Sequence, residues 1–222
     1  MFRTYLPNRY HFAVLVLLAL AYMVGHWAWD WIILFFYLLT FYLFRKRQSN
    51  PWDHPINIEH AFFSPINGKV VDIKNPALNP PLPGKYKAVR LRTTLFQEMG
   101  IFMPLSAEVR DLVVHLGKRL FRLWHFPKSE AKREKLEYVR LILHTWERDD
   151  IVLDFYPYFF GARPQIVLLP GDRGKKLVNI GLFPFGGQVV VYLPEKYEIL
   201  VTSKDVALAG ETLLAGDIEV KK

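Results

Sequence analysis

Residues 12–44 are almost wholly apolar, and this run constrains the fold more than any other feature of the chain. It is interrupted only around Gly25 to Asp30. One straight helix over this length would exceed the roughly 20 residues that cross a bilayer, and it would bury Asp30 near its middle. Two short antiparallel helices place Asp30 and the tryptophans beside it at a turn in the bilayer interface, which tolerates both. The sequence therefore predicts a membrane-anchoring helical hairpin.

The charges that flank this run predict its orientation. Arg3 and Arg9 precede the first arm, and Arg45-Lys46-Arg47 follows the second. Cytoplasmic flanks are enriched in basic residues, so both ends are expected in the cytoplasm. We therefore expect the cell inner membrane as the location, with the rest of the chain cytoplasmic. A hairpin that dips into one leaflet is the alternative, because each arm is short. A cleaved signal peptide is disfavoured, since the apolar run is too long and basic residues follow it.

From Pro51 onward the pattern changes to short β-branched and aromatic runs between proline, glycine and asparagine turns. Such a pattern is typical of a mainly β sandwich or barrel. Residues 75–84 are proline-rich and fit neither a helix nor a central strand. The short, charged stretch Pro127–Lys135 is the part of this region that resembles a helix. We predict a membrane hairpin over 1–50 and one β domain over 51–222, with strands near 70–73, 87–95, 109–115, 137–145, 150–156, 165–169, 189–193 and 197–201.

Composition excludes several functions. The chain has no cysteine, which rules out disulfides and thiolate chemistry. Half of its net charge of +8 lies in the first 50 residues and the larger remainder is only mildly basic, which favours anionic membrane phospholipids over nucleic acid as a partner. No metal site is predicted, because the histidines are scattered without a helical i, i+4 pair, at positions 11, 26, 54, 60, 115, 125 and 144.

Five short motifs follow one another along the chain in an informative order. They are Ser64-Pro65-Ile66-Asn67-Gly68-Lys69-Val70, His115-Leu116-Gly117-Lys118-Arg119-Leu120, Gly161-Ala162-Arg163, Phe185-Gly186-Gly187 before a strand ending at Pro194, and Val206 to Thr212. Together with the hairpin they resemble the phosphatidylserine decarboxylases of the short bacterial and archaeal type. The resemblance implies a barrel-sandwich-like β domain. It also implies a pyruvoyl group, which that family forms by cutting its own chain before a serine.

The departures from that family lie at its three processing residues. Gly187 stands where the serine belongs, Asn67 where an aspartate belongs, and Met99 where the histidine belongs. A serine nucleophile needs a base and a group that orients the base, and these three residues supply none of those functions. Ser64 and Ser203 have no base near them in sequence. We therefore expect no catalytic residues, no pyruvoyl group and a degenerate former active site lined by Asn67, Gly186 and Gly187.

Residues 118–135 mix apolar and aromatic side chains with cations, as an interfacial membrane contact requires. The alternative is a strand end facing the core, followed by a charged surface loop. The resemblance adds Arg163 as a weak headgroup candidate. The lipid-binding candidates are Lys118, Arg119, Arg122, Trp124, Phe126 and Arg163.

These observations predict a membrane-bound decarboxylase homologue that does not process itself and serves as a phospholipid-binding or scaffold subunit. A homo-oligomer or a membrane protein partner is expected. Two alternatives stay open. The chain could be an active phosphatidylserine (or related phospholipid) decarboxylase, or a structural subunit of a larger membrane complex.

Overall fold

A computed structural model of the chain separates it into two compact units, Met1–Gln48 and Ser49–Lys222. The residues it describes are 3–23, 25, 27–46, 61–77, 80–93, 97–120, 126–127, 130–158 and 161–217.

The first unit is a helical hairpin whose two ends are joined by a small ladder. Helix α1 spans Asn8–Met23 and helix α2 spans Trp27–Leu43, while strand β1 (Arg3–Thr4) pairs antiparallel with β2 (Arg45–Lys46). The Gly25 N–H donates to the Tyr22 carbonyl, and Gly25 has a φ of 74° that glycine adopts without strain. This glycine therefore permits the tight reversal between the helices.

Polar side chains link the two helices of the hairpin. The Tyr10 hydroxyl lies 2.6 Å from Thr40 Oγ1, and His11 Nδ1 lies 3.0 Å from the Tyr37 hydroxyl. Many large apolar side chains of both helices are exposed, among them Leu17, Leu20, Trp29, Trp31, Phe35 and Phe36. Within the described residues, neither helix combines the length and the hydropathy that a bilayer span needs. The expected hairpin is present, but the expected membrane spans are not supported.

The second unit is mainly β, as the turn-rich pattern from Pro51 onward predicts. Its elements, in chain order, are β3 (Phe62–Phe63), β4 (Gly68–Lys74), β5 (Tyr86–Arg92), β6 (Gly100–Phe102), β7 (Ala107–His115), α3 (Glu130–Arg133), β8 (Tyr138–His144), β9 (Asp150–Pro157), β10 (Gln165–Ile166), β11 (Arg173–Gly174), β12 (Asn179–Leu182), β13 (Gly187–Pro194), β14 (Tyr197–Ile199), β15 (Val206–Ala207) and β16 (Leu213–Asp217).

One antiparallel sheet of eight strands dominates this unit, in the order β11-β7-β8-β9-β13-β5-β4-β15, and it curls into a half-barrel. Two three-stranded sheets, β10-β12-β6 and β14-β16-β3, complete the unit. Strand β13 lies near the middle of the large sheet and is paired along its length with β9 and β5. Its valine-rich sequence fits this place, because a central strand covered on both faces buries nearly all of its side chains, here all but that of Pro194.

Each face of the large sheet carries an apolar cluster. The main core includes Leu91, Leu141, Phe155 and Val191, which lie on one face of successive strands. The opposite face carries a second cluster that is rich in tyrosine, with Tyr86, Tyr156, Tyr158 and Tyr192 among its members. Side chains alternate between the two faces of a strand, so neighbouring residues of β9 and β13 enter different clusters.

Candidate functional site

The registers of the large sheet bring three separate segments of the chain together at one end of strands β4, β5 and β13. Lys69 of β4 pairs with Arg92 of β5, and Arg92 pairs in turn with Gln188 of β13. The residues just beyond these pairs are Gly68, Thr93 and Gly187. The first residues of β4 and β13 therefore lie next to the end of β5. The Thr93 N–H donates to the Gly187 carbonyl over 3.0 Å. The first motif and the glycine turn are therefore neighbours in space.

A tight turn leads into Gly187. The Gly186 N–H donates to the Phe183 carbonyl at 3.3 Å, and Pro184 occupies the second position of the turn. Phe185 has a φ of 60°, which is uncommon for a residue with a side chain. Proline at the second position and a positive φ at the third are the signature of a type II turn.

Gly187 lies where no side chain fits. A Cβ atom built on it would be 2.2 Å from the Tyr156 carbonyl oxygen and 2.5 Å from Cζ of the Phe183 ring. The first contact is with the backbone of the neighbouring strand β9, which cannot rotate away as a flexible side chain could. The position therefore excludes a serine for steric reasons as well as lacking one in sequence.

Asn67 holds two parts of the fold together through its side-chain amide. Its Nδ2 donates to Glu98 Oε2 at 3.3 Å, and its Oδ1 accepts the Ala209 N–H at 3.0 Å. Both Asn67 and Glu98 are buried. An aspartate here would place a second carboxylate against Glu98 in a site of low dielectric, where like charges repel strongly. An amide satisfies both partners, so the residue acts as a structural bridge.

Met99 supports the turn in front of Gly187. Its backbone carbonyl accepts the Phe183 N–H at 2.6 Å, and its sulfur accepts the Phe185 N–H at 3.3 Å. The side chain is buried and carries no group that transfers protons. The structure thus places Asn67, Met99 and Gly187 in one connected region, joined through Glu98 and the turn.

The chemistry available in this region is limited. Ser64 lies beside Asn67, but it is fully buried and its hydroxyl donates to the Ile66 carbonyl at 2.7 Å. The Ser64 carbonyl accepts the Gly210 N–H, which ties it to the turn that Asn67 also holds. A hydroxyl committed to a backbone carbonyl is not activated as a nucleophile. Among the described residues no group of acidic or histidine side chains is arranged to hold a metal ion.

Sequence reasoning missed Glu98, which is the buried acid of this region. Glu98 directly precedes Met99, the position at which the family resemblance implies a histidine. Its contact with Asn67 spans 31 residues of sequence, so it depends on the strand registers and not on local spacing. The feature of the sequence that could have indicated it is an acidic residue directly next to Met99.

Two of the lipid-binding candidates meet at a buried carboxylate. Arg119 Nε donates to one oxygen of Glu137 at 3.0 Å, and Arg163 Nε donates to the other at 2.5 Å. Arg119 also donates to the Gly161 carbonyl at 2.9 Å. The Glu137 side chain is only 5% exposed. Burial alone would raise the pKa of Glu137, but the hydrogen bonds from Arg163 and Arg119 outweigh it and lower the pKa overall.

The remaining lipid-binding candidates fall into three situations. Lys118 is exposed, and its backbone N–H donates to the Lys135 carbonyl at 2.8 Å. Phe126 is buried in the tyrosine-rich cluster, with its ring centroid 5.1 Å from that of Tyr156. Arg122 and Trp124 lie outside the described residues.

Comparison with known proteins confirms the resemblance to the phosphatidylserine decarboxylases. The chain is 26% identical over 166 residues to a phosphatidylserine decarboxylase proenzyme of Oleidesulfovibrio alaskensis. The aligned region covers 72% of this chain and 70% of the relative. It is 29% identical over 182 residues to the proenzyme of Geotalea daltonii, with 81% of each chain covered. The proenzyme of Geotalea uraniireducens is 28% identical over 193 residues, with 84% of each chain covered.

The similarity therefore spans most of the chain and most of each relative. No family model matches the chain, and no solved structure matches it.

Replacing Gly187 with serine tests the steric argument. We expect Gly187→Ser to lower the free energy of unfolding by about 3 kcal/mol, since overpacking against a backbone is poorly relieved. We also expect the variant to stay uncleaved, because Asn67 and Met99 supply no base. Chemical unfolding and intact mass measure the two effects.

Gly216→Ser is the matched control for that substitution. A Cβ at Gly216 would meet only Leu200 Cδ1, at an ordinary 3.7 Å, so we expect a change within about 0.5 kcal/mol. A Gly187→Ser protein as stable as the control would contradict the packing described here.

Glu137→Gln tests the carboxylate between the two arginines. We expect it to cost about 2 kcal/mol at neutral pH, because charge-assisted hydrogen bonds from Arg119 and Arg163 are weakened. The pKa is lower in the folded state, so this contribution is complete above the unfolded value of 4.5 and disappears as the pH falls through the lower folded value. The stability difference between wild type and variant should therefore shrink below pH 4.5, as measured by unfolding at several pH values.

Glu134→Gln is the control, because Glu134 is an exposed glutamate in the same segment. We expect no more than about 0.5 kcal/mol and no such pH dependence. Equal effects of the two substitutions would show that Glu137 is not held as described.

Proposed function

We propose that the chain is a phosphatidylserine decarboxylase homologue that does not cleave itself, carries no pyruvoyl group, and works at a membrane as a phospholipid-binding or scaffold subunit. The observation that carries this proposal is the packing at Gly187. The pyruvoyl group of the family derives from a serine, and here the Tyr156 carbonyl lies 2.2 Å from where even a Cβ would be. Self-processing by the family's route needs a serine at position 187, and the chain has neither that serine nor the space for its side chain.

The other two replaced positions support the same proposal. Asn67 makes buried hydrogen bonds and Met99 a partly buried one, and these stabilise the surrounding turns. A carboxylate at 67 would be repelled by Glu98, and a histidine at 99 would replace the sulfur that accepts the Phe185 N–H. Each position has a structural partner suited to the residue that it holds.

An active decarboxylase is the second candidate, and one observation favours it. The curated relatives described above are all named as phosphatidylserine decarboxylase proenzymes. Activity in this chain would require a carbonyl cofactor made at another residue or supplied by another chain. Ser64 is a poor source, since its hydroxyl is buried and bonded to Ile66.

Membrane contact by the β unit has a specific candidate surface at the end of β7. Val113, Val114 and Leu116 are exposed there, and Leu116 is 68% exposed. Lys118 and Lys135, which are joined by a backbone hydrogen bond, supply cations next to them. We call these five residues the Val113 patch. Apolar side chains rimmed by lysines are suited to an interface with anionic lipid.

The location and partners follow from the same proposal. The basic residues that flank the hairpin favour the cytoplasmic face of the inner membrane. The exposed apolar side chains of α1 and α2 are suited to lipid, to a second copy of the chain or to another membrane protein.

Intact mass tests the absence of processing. We expect one species at the full mass of 26.0 kDa after extraction from membranes, with no terminus that reacts with carbonyl reagents. The Oleidesulfovibrio alaskensis proenzyme taken through the same preparation is the control. Two fragments, the smaller beginning near residue 187 with a carbonyl-reactive terminus, would establish the decarboxylase alternative instead.

Site-specific labelling tests the Val113 patch, and the absence of cysteine makes it simple. We expect a polarity-sensitive dye on Leu116→Cys to shift to the blue in anionic phospholipid vesicles and to be quenched by brominated lipid, because the side chain enters the interface. Leu169→Cys is the matched control, since Leu169 is 65% exposed and lies outside the patch. If vesicles changed the fluorescence of the dye equally at the two sites, or at neither site, a membrane contact at this surface would be excluded.

A further inference from the structure

A polar cavity of about 230 Å³ lies on the face of the large sheet opposite the main core. Tyrosines and charged side chains of β8, β9 and β13 form its floor, and α3 and the proline-rich loop contribute to its walls. The lining residues are Pro80, Pro81, Arg133, Glu134, Tyr138, Arg140, Asp154, Tyr156 and Tyr192. We call it the Arg133 cavity. It is not part of the former active site, since Asn67, Met99 and Gly187 are absent from its lining.

Most charges of the Arg133 cavity are already paired. Arg140 donates two hydrogen bonds to Asp154, at 2.7 and 2.8 Å, and Asp154 is fully buried. The Tyr156 hydroxyl also bonds to Asp154. Burial raises the pKa of Asp154, and the hydrogen bonds from Arg140 oppose that rise. Arg140 and Asp154 thus form a neutral pair that shapes the cavity and leaves little charge for a ligand.

Arg133 is the cation with unused hydrogen-bonding capacity. Its guanidinium bonds to the Tyr192 hydroxyl, but its buried Nε has no hydrogen-bond partner among the described residues. A buried charged donor without an acceptor is costly, so an oxyanion that entered here would relieve that cost. Burial raises the pKa of Tyr192 to about 12, so its hydroxyl stays protonated at neutral pH and can donate to the same oxyanion.

We propose that the Arg133 cavity binds a phosphate group, with Arg133 and the Tyr192 hydroxyl as its donors. The opposing charge is Glu134, which is exposed and therefore screened by water and salt. Arg133 Nε is buried, and in a buried site of low dielectric the positive charge of the arginine attracts a phosphate more strongly than it would in water. The attraction of the arginine outweighs the repulsion of the glutamate.

The surroundings of the cavity suggest two sources of phosphate. Val113 of the Val113 patch is paired in register with Arg140 of the cavity, so this residue of the patch lies next to the cavity on the same face of the sheet. A phospholipid in a bilayer touching the patch could present its phosphate there, and a small soluble phosphate ester could enter equally well. The site does not depend on whether the chain processes itself, so it stands apart from the function proposed above.

Titration calorimetry of the full-length protein with inorganic phosphate tests the site. We expect saturable binding that chloride at equal ionic strength does not reproduce. Arg133→Ala should weaken it at least about tenfold, because the cation and its charge-assisted hydrogen bond to the phosphate are lost. Tyr192→Phe keeps the ring and the fold but removes one donor, so we expect a weakening of about threefold.

Lys132→Ala is the matched control, since it removes an exposed cation from the adjacent position of α3. We expect its affinity for phosphate to equal that of the wild type. Because Lys132→Ala and Arg133→Ala have the same net charge, a difference between them does not arise from overall charge. Absence of phosphate binding in the wild type would overturn the proposal. Unchanged binding in both Arg133→Ala and Tyr192→Phe, or equal binding of acetate, would overturn it as well.

A second titration distinguishes the sources. Glycerol 3-phosphate represents a soluble ester, and a short-chain phosphatidylglycerol below its micelle concentration represents a lipid headgroup. Tighter binding of the lipid that Arg133→Ala abolishes would assign the site to membrane phospholipid. Tighter binding of glycerol 3-phosphate with the same dependence on Arg133 would assign it to a soluble phosphate ester.

Discussion

The pairing of β13 with β9 on one side and β5 on the other is the constraint on which the rest of this structure depends. It brings the backbone of Gly187 against the Tyr156 carbonyl, so that only glycine fits there. It also fixes the alternation of side chains along the strand. Val191 enters the main core, whereas Tyr192 reaches the opposite face and lines the Arg133 cavity. The packing at Gly187 and the position of the cavity thus both depend on the placement of this one strand.

The region that resembles the decarboxylase active site is a well-packed structural junction. Asn67 joins the first motif to the Ala209 turn, and Met99 holds the turn before Gly187. Similarity to the named proenzymes over most of the chain accounts for the shared motifs. It does not by itself determine what the chain does, since related folds support different functions. The function proposed here rests on the contacts of these particular residues.

The fold was largely predictable from sequence because short β-branched runs between turns identify strands, as at β8, β9 and β13. The sequence motifs also singled out Asn67, Met99 and Gly187, and the structure places these three residues in one region. What sequence could not supply were contacts between distant segments. Glu137 is 18 residues from Arg119 and 26 from Arg163, so nothing local indicated that a carboxylate holds both arginines. Phe126 looked like a surface aromatic beside cations, yet its ring packs on Tyr156.

The bridge made by Asn67 has a consequence for how this sequence can change. Restoring aspartate at 67 alone would bring a carboxylate against Glu98, and restoring serine at 187 alone would meet the Tyr156 carbonyl. Each of these single substitutions is therefore expected to lower the stability of the fold. Several coordinated substitutions, at Glu98 and around Phe183 as well, would be needed at once. The three positions are therefore coupled through their contacts, a form of epistasis in which a change at one residue is tolerated only together with changes at its neighbours.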